Sequence, residues 1–377
     1  MLNNKKILIA TGGTGGHINP ALAVAGYIRE KYPKADILFV GTAVKMEAQL
    51  VPAAGYAFKT IDIQGFSRDL TPSGIKQNIS TLIKLVKSSS QAKKIIKEFD
   101  PDVVLGFGGY VGGPVLRTAC KLGIPTAIHE QNAFPGVTNK ALAKIVDKVM
   151  LTAPEAEKYM QPKNPCVVTG LPVRGELISA DRDFSRAELG VDERPVILSM
   201  GGSLGARVIN TAVTQLIEER YERKDCYFLH ATGKAGVGMF DVIEKEKNIS
   251  LEENKHIMLR EYINDMHRCM AAADLVICRA GASSLSEIQA MGKPSILVPY
   301  PYAAENHQYY NAMELVKNDA AILIEEKDFT GDRLIKEIDA LLADKQRLAT
   351  LGENAKKMAI YDATERIVSC ICEIVRK

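Results

Sequence analysis

"ILIATGGTGGHINPA", residues 7–21, is the stretch on which the reading of the fold turns. An apolar run ends in four glycines within five residues, followed by a histidine, Asn-Pro and an alanine-rich helical pattern. A strand that delivers so bare a backbone to a helix start exposes main-chain N–H groups at the positive end of the helix dipole, which suits a phosphate. The same strand, glycine loop and helix recur at residues 195–217, "PVILSMGGSLGARVINTAVTQLI". Around these two units short apolar runs alternate with helical patterns: "ADILFVGT", "DVVLGFGG", "PTAIHEQ" and "DKVMLTA" in the first half, "CYFLHATG", "HIMLREY", "DLVICRAGA" and "PSILVPY" in the second. Strands apolar throughout and separated by amphipathic helices read as parallel sheets covered on both faces. The chain is therefore predicted to be α/β, with two Rossmann-like doubly wound domains. Ligands of such sheets sit beyond the carboxyl ends of the strands, so two facing sheets would hold the site in a central cleft.

A length of 377 residues suits two domains, each able to bury its own core. Prolines and glycines cluster in "QPKNPCVVTGLPVR" (161–174), which puts the expected join there. The predicted domains are 1–165 and 166–352, with a last helical stretch, 353–377, expected to pack back on the first. Composition is that of a soluble enzyme, 46% hydrophobic and 25% charged. No stretch approaches the roughly 18 apolar residues of a spanning helix, and the N-terminus has no signal-peptide pattern. A cytoplasmic protein is expected. The seven cysteines (Cys120, Cys166, Cys226, Cys269, Cys278, Cys370, Cys372) include no C-x-x-C pair and read as reduced core thiols. Charge is unevenly spread: residues 1–165 carry 21 Lys and Arg against 12 Asp and Glu (+9), and the remainder carries 27 against 33 (−6). A basic first half points to an anionic partner.

The glycine loops fit no nucleotide signature. There is no G-x-G-x-x-G register, no acid ends the next strand "ILFVGT", and no P-loop occurs, which disfavours NAD and P-loop ATP. Three dense clusters at strand ends, "GGTGG", "GFGGYVGG" and "GGSLGA", nevertheless point to close backbone approach by a ligand. His17 is a candidate base at the first of them, with Asn19 a possible helix N-cap and Pro20 suited to a first turn. In "RAGASSLSEIQAMGKP" (279–294) Ser284 and Glu287 match a capping box, although a carboxylate at that strand end could also accept two hydrogen bonds from a ribose diol. "AAENHQYYNA" (303–312) gathers Glu305, Asn306, His307, Gln308 and Asn311, side chains that sugar hydroxyls need. Asp100 and Asp102 precede their strand, at the wrong end for a metal site, and "HEQNA" lacks the second histidine of H-E-x-x-H. No metal ligand set and no cofactor are expected.

Assembled in order, "GGTGGH" (12–17), "GFGGYVGGP" (106–114), "HEQNAFPGVTNK" (129–140), "GLPVR" (170–174), "GGSLGAR" (201–207), "INDM" (263–266), "CRAGASSLSE" (278–287) and "NHQYYNA" (306–312) run the length of the chain. With these motifs the sequence resembles the MurG glycosyltransferases of peptidoglycan synthesis, which have the GT-B fold. The resemblance implies inverting transfer of N-acetylglucosamine from UDP-N-acetylglucosamine to the 4-hydroxyl of undecaprenyl-pyrophosphoryl-N-acetylmuramoyl-pentapeptide, lipid I to lipid II, with both molecules as substrates. It implies His17 as general base. On the donor it implies Glu287 at the ribose, main chain near Ile263 at the uracil, and Ser203, Ala282, Ser283 and Arg174 at the diphosphate. Gln308 would meet the sugar, with His307 where a second glutamine is expected. Thr14, Gly15, Gly16 and Asn132 would reach the donor from the other domain, Asn132 at the sugar 4-hydroxyl. Gly13, Gly108, Gly109 and Tyr110, with Thr14 and Gly15 alongside, would take the acceptor diphosphate.

The lipid-linked acceptor gives the basic half a use. In "PSGIKQNISTLIKLVKSSSQAKKIIKEF" (72–99) Ile75, Ile79, Leu82, Ile83 and Val86 form a helical stripe beside Lys76, Lys84, Lys87, Lys93, Lys94 and Lys97. The stripe packs on the sheet or docks peripherally on anionic lipid at the cytoplasmic face of the membrane. Another UDP-sugar enzyme of the same fold, a glycolipid glucosyltransferase or a UDP-N-acetylglucosamine 2-epimerase, and a catalytically idle membrane scaffold are the alternatives. No nucleic acid is expected.

Overall fold

The computed structural model describes residues 1–65, 71–202, 204–247 and 249–376, with the side chains at 72–80, 82, 83 and 235 left outside the description. Contacts divide the chain into two compact units, Met1–Pro172 together with Asp362–Lys377, and Val173–Tyr361. The boundary falls later than the expected 165. The return segment also begins later than 353, because the helix Lys345–Lys357 packs on the helices Ala282–Met291 and Gly331–Ala343 of the second unit.

Among the described residues the first unit holds a seven-stranded sheet: β1 Lys6–Ala10, β2 Asp36–Gly41, β3 Ala57–Thr60, β4 Val103–Gly106, β5 Thr126–Glu130, β6 Lys148–Leu151 and β7 Val167–Val168, in the order β3-β2-β1-β4-β5-β6-β7. The second holds six: β8 Val196–Met200, β9 Tyr227–Ala231, β10 Ile257–Arg260, β11 Leu275–Cys278, β12 Ser295–Leu297 and β13 Ile322–Leu323, in the order β10-β9-β8-β11-β12-β13. Every pairing is parallel; Ile9 of β1, for example, stands opposite Phe39 on one side and Leu105 on the other. Both sheets are Rossmann-like and doubly wound. Their central strands are buried at nearly every position, because each sheet is sandwiched between two apolar clusters that draw alternate residues of one strand to opposite faces. In β1, Leu8 and Ala10 join one cluster, and Ile7 and Ile9 the other.

Strand order reverses between β1 and β4 and again between β8 and β11. Loops leaving the carboxyl ends of such neighbouring strands diverge to opposite faces and open a crevice. The loops concerned are 11–14 and 107–111 in one unit, and 201–206 and 279–281 in the other. The last helix, Ala363–Ile374, buries Ile367, Val368, Cys370 and Ile371 in the cluster that holds Leu2, Ile7 and Ile9, and Glu373 reaches Lys148 of β6 at 2.6 Å. The cysteines are free thiols, and burial pushes those of Cys226 and Cys278 up to about 12.

Candidate active site

At the first crevice the two glycine loops touch. A Cβ on Gly109 would lie 2.5 Å from the Gly12 carbonyl oxygen, and one on Gly108 2.6 Å from Nδ1 of His17. Both residues also have positive φ, +81° and +88°, so only glycine serves there. Gly13 is exposed in the loop after β1 with a φ of +95°, and Tyr110 is exposed with its ring over Gly65. The helix behind His17 runs Gly15–Lys31 and its N-cap is Thr14, whose backbone is extended; Gly15 and Gly16 are its first two residues. Asn19 and Pro20 therefore lie inside the helix, a correction to the expected cap. β1 leads straight into the turn, and Thr14 O already accepts from His17 N and Ile18 N. His17 is a first-turn residue facing the Gly108 backbone.

Behind it lies a polar network that the sequence did not announce. His17 Nδ1 is 3.0 Å from Gln131 Oε1, and Gln131 Nε2 is 3.2 Å from Nδ1 of His129. His129 is fully buried, its Nε2 2.9 Å from Gly170 O, and burial lowers its imidazole to about 4. Next to it the buried Glu130 accepts from Asn132 N at 3.0 Å, Asn132 Nδ2 at 3.1 Å, Gly136 N at 3.2 Å and Asn139 Nδ2 at 2.8 Å. That carboxylate holds the Asn132 side chain in place. A second buried carboxylate, Glu47, accepts from Gly13 N at 2.9 Å and from Thr42 N and Oγ1 at 3.0 and 2.6 Å, tying the loop after β1 to the end of β2. The motif "HEQN" could have flagged Glu130 and Gln131; nothing in the sequence marks Glu47, whose partner Gly13 is 34 residues away.

In the second unit the capping-box reading of Glu287 does not hold. The helix is Ala282–Met291 with Gly281 as N-cap and no side-chain cap, so Ser284 lies within it. Glu287 instead receives Nε and Nη2 of Arg174 at 3.3 and 3.1 Å. Burial raises its carboxyl above the ordinary value, and the Arg174 charge offsets part of that. Ala282 and Ser283 occupy the first two helical positions, and Ile263 is buried in the loop after β10. Gln308 Oε1 accepts from Tyr300 N at 2.9 Å, and His307 Nδ1 donates to Ala304 O at 2.7 Å. The chain turns there through Glu305 and Asn306, both at positive φ, and Asn311 Nδ2 donates to Ala280 O at 3.2 Å, fastening this segment to the loop after β11. Ser203 lies outside the described residues.

The basic stripe sits on the helix Pro72–Phe99. Ala92 and Ile96 pack into the core, whereas Val86 is 75% exposed. The side chains of Ile75, Ile79 and Leu82 lie outside the described residues. Lys84 is 3.2 Å and Lys87 3.8 Å from Asp62, so neither cation is unpaired as a pure lipid contact would have it; Asp62 lies just beyond β3 beside this helix. Among the described residues no helix is long and apolar enough to cross a membrane.

Residues 7–151 match the glycosyltransferase family 28 N-terminal domain, and residues 196–367 the glycosyltransferase family 28 C-terminal domain. The chain is 44% identical over 372 residues, 98% of each sequence, to the "UDP-N-acetylglucosamine--N-acetylmuramyl-(pentapeptide) pyrophosphoryl-undecaprenol N-acetylglucosamine transferase" of Acetivibrio thermocellus. It is 44% identical over 374 residues, 98% of this chain and 100% of the relative, to the Ruminiclostridium cellulolyticum protein of the same name. Among solved structures it resembles the crystal structure of Acinetobacter baumannii MurG, with a TM-score of 0.79 and 29% identity covering 98% of this chain and 99% of that one. Two doubly wound sheets of the GT-B class, glycine loops at both strand-order reversals and this full-length kinship lead to one statement: the chain belongs to glycosyltransferase family 28, and within it to the MurG family.

Proposed function

We infer that this chain transfers N-acetylglucosamine from UDP-N-acetylglucosamine to the 4-hydroxyl of undecaprenyl-pyrophosphoryl-N-acetylmuramoyl-pentapeptide, converting lipid I to lipid II in peptidoglycan synthesis. The observation that carries the reading is the near-full-length identity to curated transferases of that name. In the reaction the acceptor oxygen bonds to the anomeric carbon from the side opposite the departing UDP, the bond from that carbon to the β-phosphate oxygen breaks, and the hydroxyl proton goes to His17. A positioned base of this kind contributes about 10²–10⁴-fold.

The remaining roles follow from chemistry. UDP leaves with negative charge, which the N-terminus of the helix Ala282–Met291, through Ala282 and Ser283, and the Arg174 guanidinium would meet; Ser203 would add a hydroxyl. The reading requires no bound metal or cofactor. Glu287 would take the ribose hydroxyls, and the Arg174–Glu287 pair supports an exchange in which the arriving diol releases the guanidinium to the diphosphate. Main chain at Ile263 would read uracil, and Gln308 with His307 would hold the sugar. Asn132, held by Glu130, would reach the sugar 4-hydroxyl beside Thr14, Gly15 and Gly16, while Gly13, Gly108, Gly109 and Tyr110 would receive the acceptor diphosphate.

The helix Pro72–Phe99 would rest peripherally on anionic lipid at the cytoplasmic face, its exposed Val86, Lys87, Lys93, Lys94 and Lys97 at the surface. Lys87→Glu, which removes one positive charge worth ~1 kcal/mol at an anionic surface and adds a negative one, should weaken binding to phosphatidylglycerol vesicles by about 5- to 30-fold, with the KM for UDP-N-acetylglucosamine unchanged; equal vesicle binding refutes the surface. The reaction itself is tested by supplying the purified chain with UDP-N-acetylglucosamine and the lipid-linked acceptor and following UDP release. No turnover of the intact pair would reject it, and an acceptor-independent change in the donor sugar would indicate an epimerase instead.

A further inference from the structure

The orientation of one amide decides which nitrogen of His17 is basic, an inference that rests on the reading of His17 as proton acceptor. Gln131 Nε2 lies 3.3 Å from Phe107 O and 3.1 Å from His129 O. Carbonyl oxygens only accept, so the amide nitrogen, not its oxygen, belongs on that side. The amide oxygen is thereby turned to His17 Nδ1 at 3.0 Å. It too only accepts, so Nδ1 carries a hydrogen, and in the neutral ring the lone pair is on Nε2.

His129 gives the same sense independently. Its Nε2 donates to Gly170 O, which leaves Nδ1 as the acceptor facing Gln131 Nε2 at 3.2 Å. The ring stays neutral because it is buried, and it is stacked on Phe107 at 5.6 Å between centroids. The Gly108 backbone packs against the imidazole of His17.

We propose that Gln131 is a positioning residue for His17, its side-chain oxygen accepting the Nδ1 hydrogen so that the resting enzyme presents its basic lone pair on Nε2. A neutral amide orients the ring without the standing negative charge by which a carboxylate would favour a protonated imidazole before the acceptor arrives. When Nε2 takes the proton the Nδ1–H···O bond becomes charge-assisted and tightens.

Histidine-selective ¹⁵N labelling tests this on the unaltered chain, which has six histidines; the resonances lost in His17→Ala identify the residue. A proton on Nδ1 and none on Nε2 is expected, and the opposite tautomer overturns the proposal without recourse to any other variant. In Gln131→Met the single tautomer should give way to a mixture, with kcat falling about 10- to 100-fold as part of the base contribution is lost and the donor KM holding. Placed on His17→Ala, Gln131→Met should cost nothing further, since it acts through His17. A second loss of the same size there would overturn the positioning role. Full turnover by His17→Ala alone would instead remove the base reading and leave the tautomer to be judged by its spectrum.

Discussion

Glu47 shows how much one side chain can do unseen. Its carboxylate, wholly buried, satisfies Gly13 N, Thr42 N and Thr42 Oγ1. Glu47→Ala takes the acceptor from Gly13 N and Thr42 N, neither of which is fully buried, so urea unfolding of the first unit should shift by about 1–3 kcal/mol, with turnover lowered as well. A shift below 1 kcal/mol would mean that the loop is held by something else. His129 and His230 make a pH prediction. Burial lowers both from 6.5 to about 4, so the fold accepts the neutral ring. Their stabilising contribution is complete above about pH 6.5 and is lost as pH falls toward about 4, up to roughly 3 kcal/mol for each. Unfolding free energy measured across that window should fall steeply, and His230→Gln should remove its share of the slope; a flat profile would contradict the assignment. At this scale the sequence was only partly legible. His17, Arg174 and Glu287 stood out by motif, but Gln131 meets His17 across 114 residues and Glu47 meets Gly13 across 34, and such pairings arise only once the sheet has formed.

Elements were easier to read than their ends. The apolar runs identified the strands because a buried parallel strand leaves few polar positions, and glycine clusters marked the turns that follow them. The start of the first helix was misplaced because Asn-Pro is a common opening, whereas here the backbone turns helical at Gly15, directly after the strand loop, and absorbs Pro20 at the cost of one main-chain bond. Ser284 and Glu287 had the spacing of a capping box, but the chain was already helical at Ala282. The turn after β4 carries its own prediction. Gly108→Ala would place a Cβ 2.6 Å from the His17 ring at a φ of +88°, so it should cost about 1–3 kcal/mol of strain and lower kcat at least tenfold with donor KM little changed. Steady-state kinetics beside thermal unfolding measures both, and wild-type kcat would show that His17 needs no such support. The lysine-rich helix was legible as amphipathic, yet its pairing with Asp62 was not, since Asp62 follows a strand well before it in the chain.

For the whole molecule, repetition of the strand–glycine–helix unit disclosed two sheets, and clustered Pro and Gly the region of the join. Where the chain crosses back was harder, because 353–377 reads as one continuous helical pattern while the contacts divide it at Asp362. The final helix buries Ile367, Val368 and Ile371 in the core of the first unit, worth about 4.5–9 kcal/mol at the usual 1.5–3 per large apolar side chain, comparable with the stability of a whole domain. A chain ending at residue 361 should therefore lose the cooperative unfolding of the first unit and all transferase turnover, while the second unit keeps its own thermal transition and its affinity for UDP. Two transitions surviving in calorimetry would refute this. The same closure bears on how the protein is made. Synthesis delivers the first unit's sheet early and the helix Ala363–Ile374 only after the whole second unit, so on the ribosome the segment translated second can complete its fold first. Until that helix leaves the exit tunnel, the nascent first half presents an open apolar strip to the cytosol, and chaperone occupancy should concentrate in that interval.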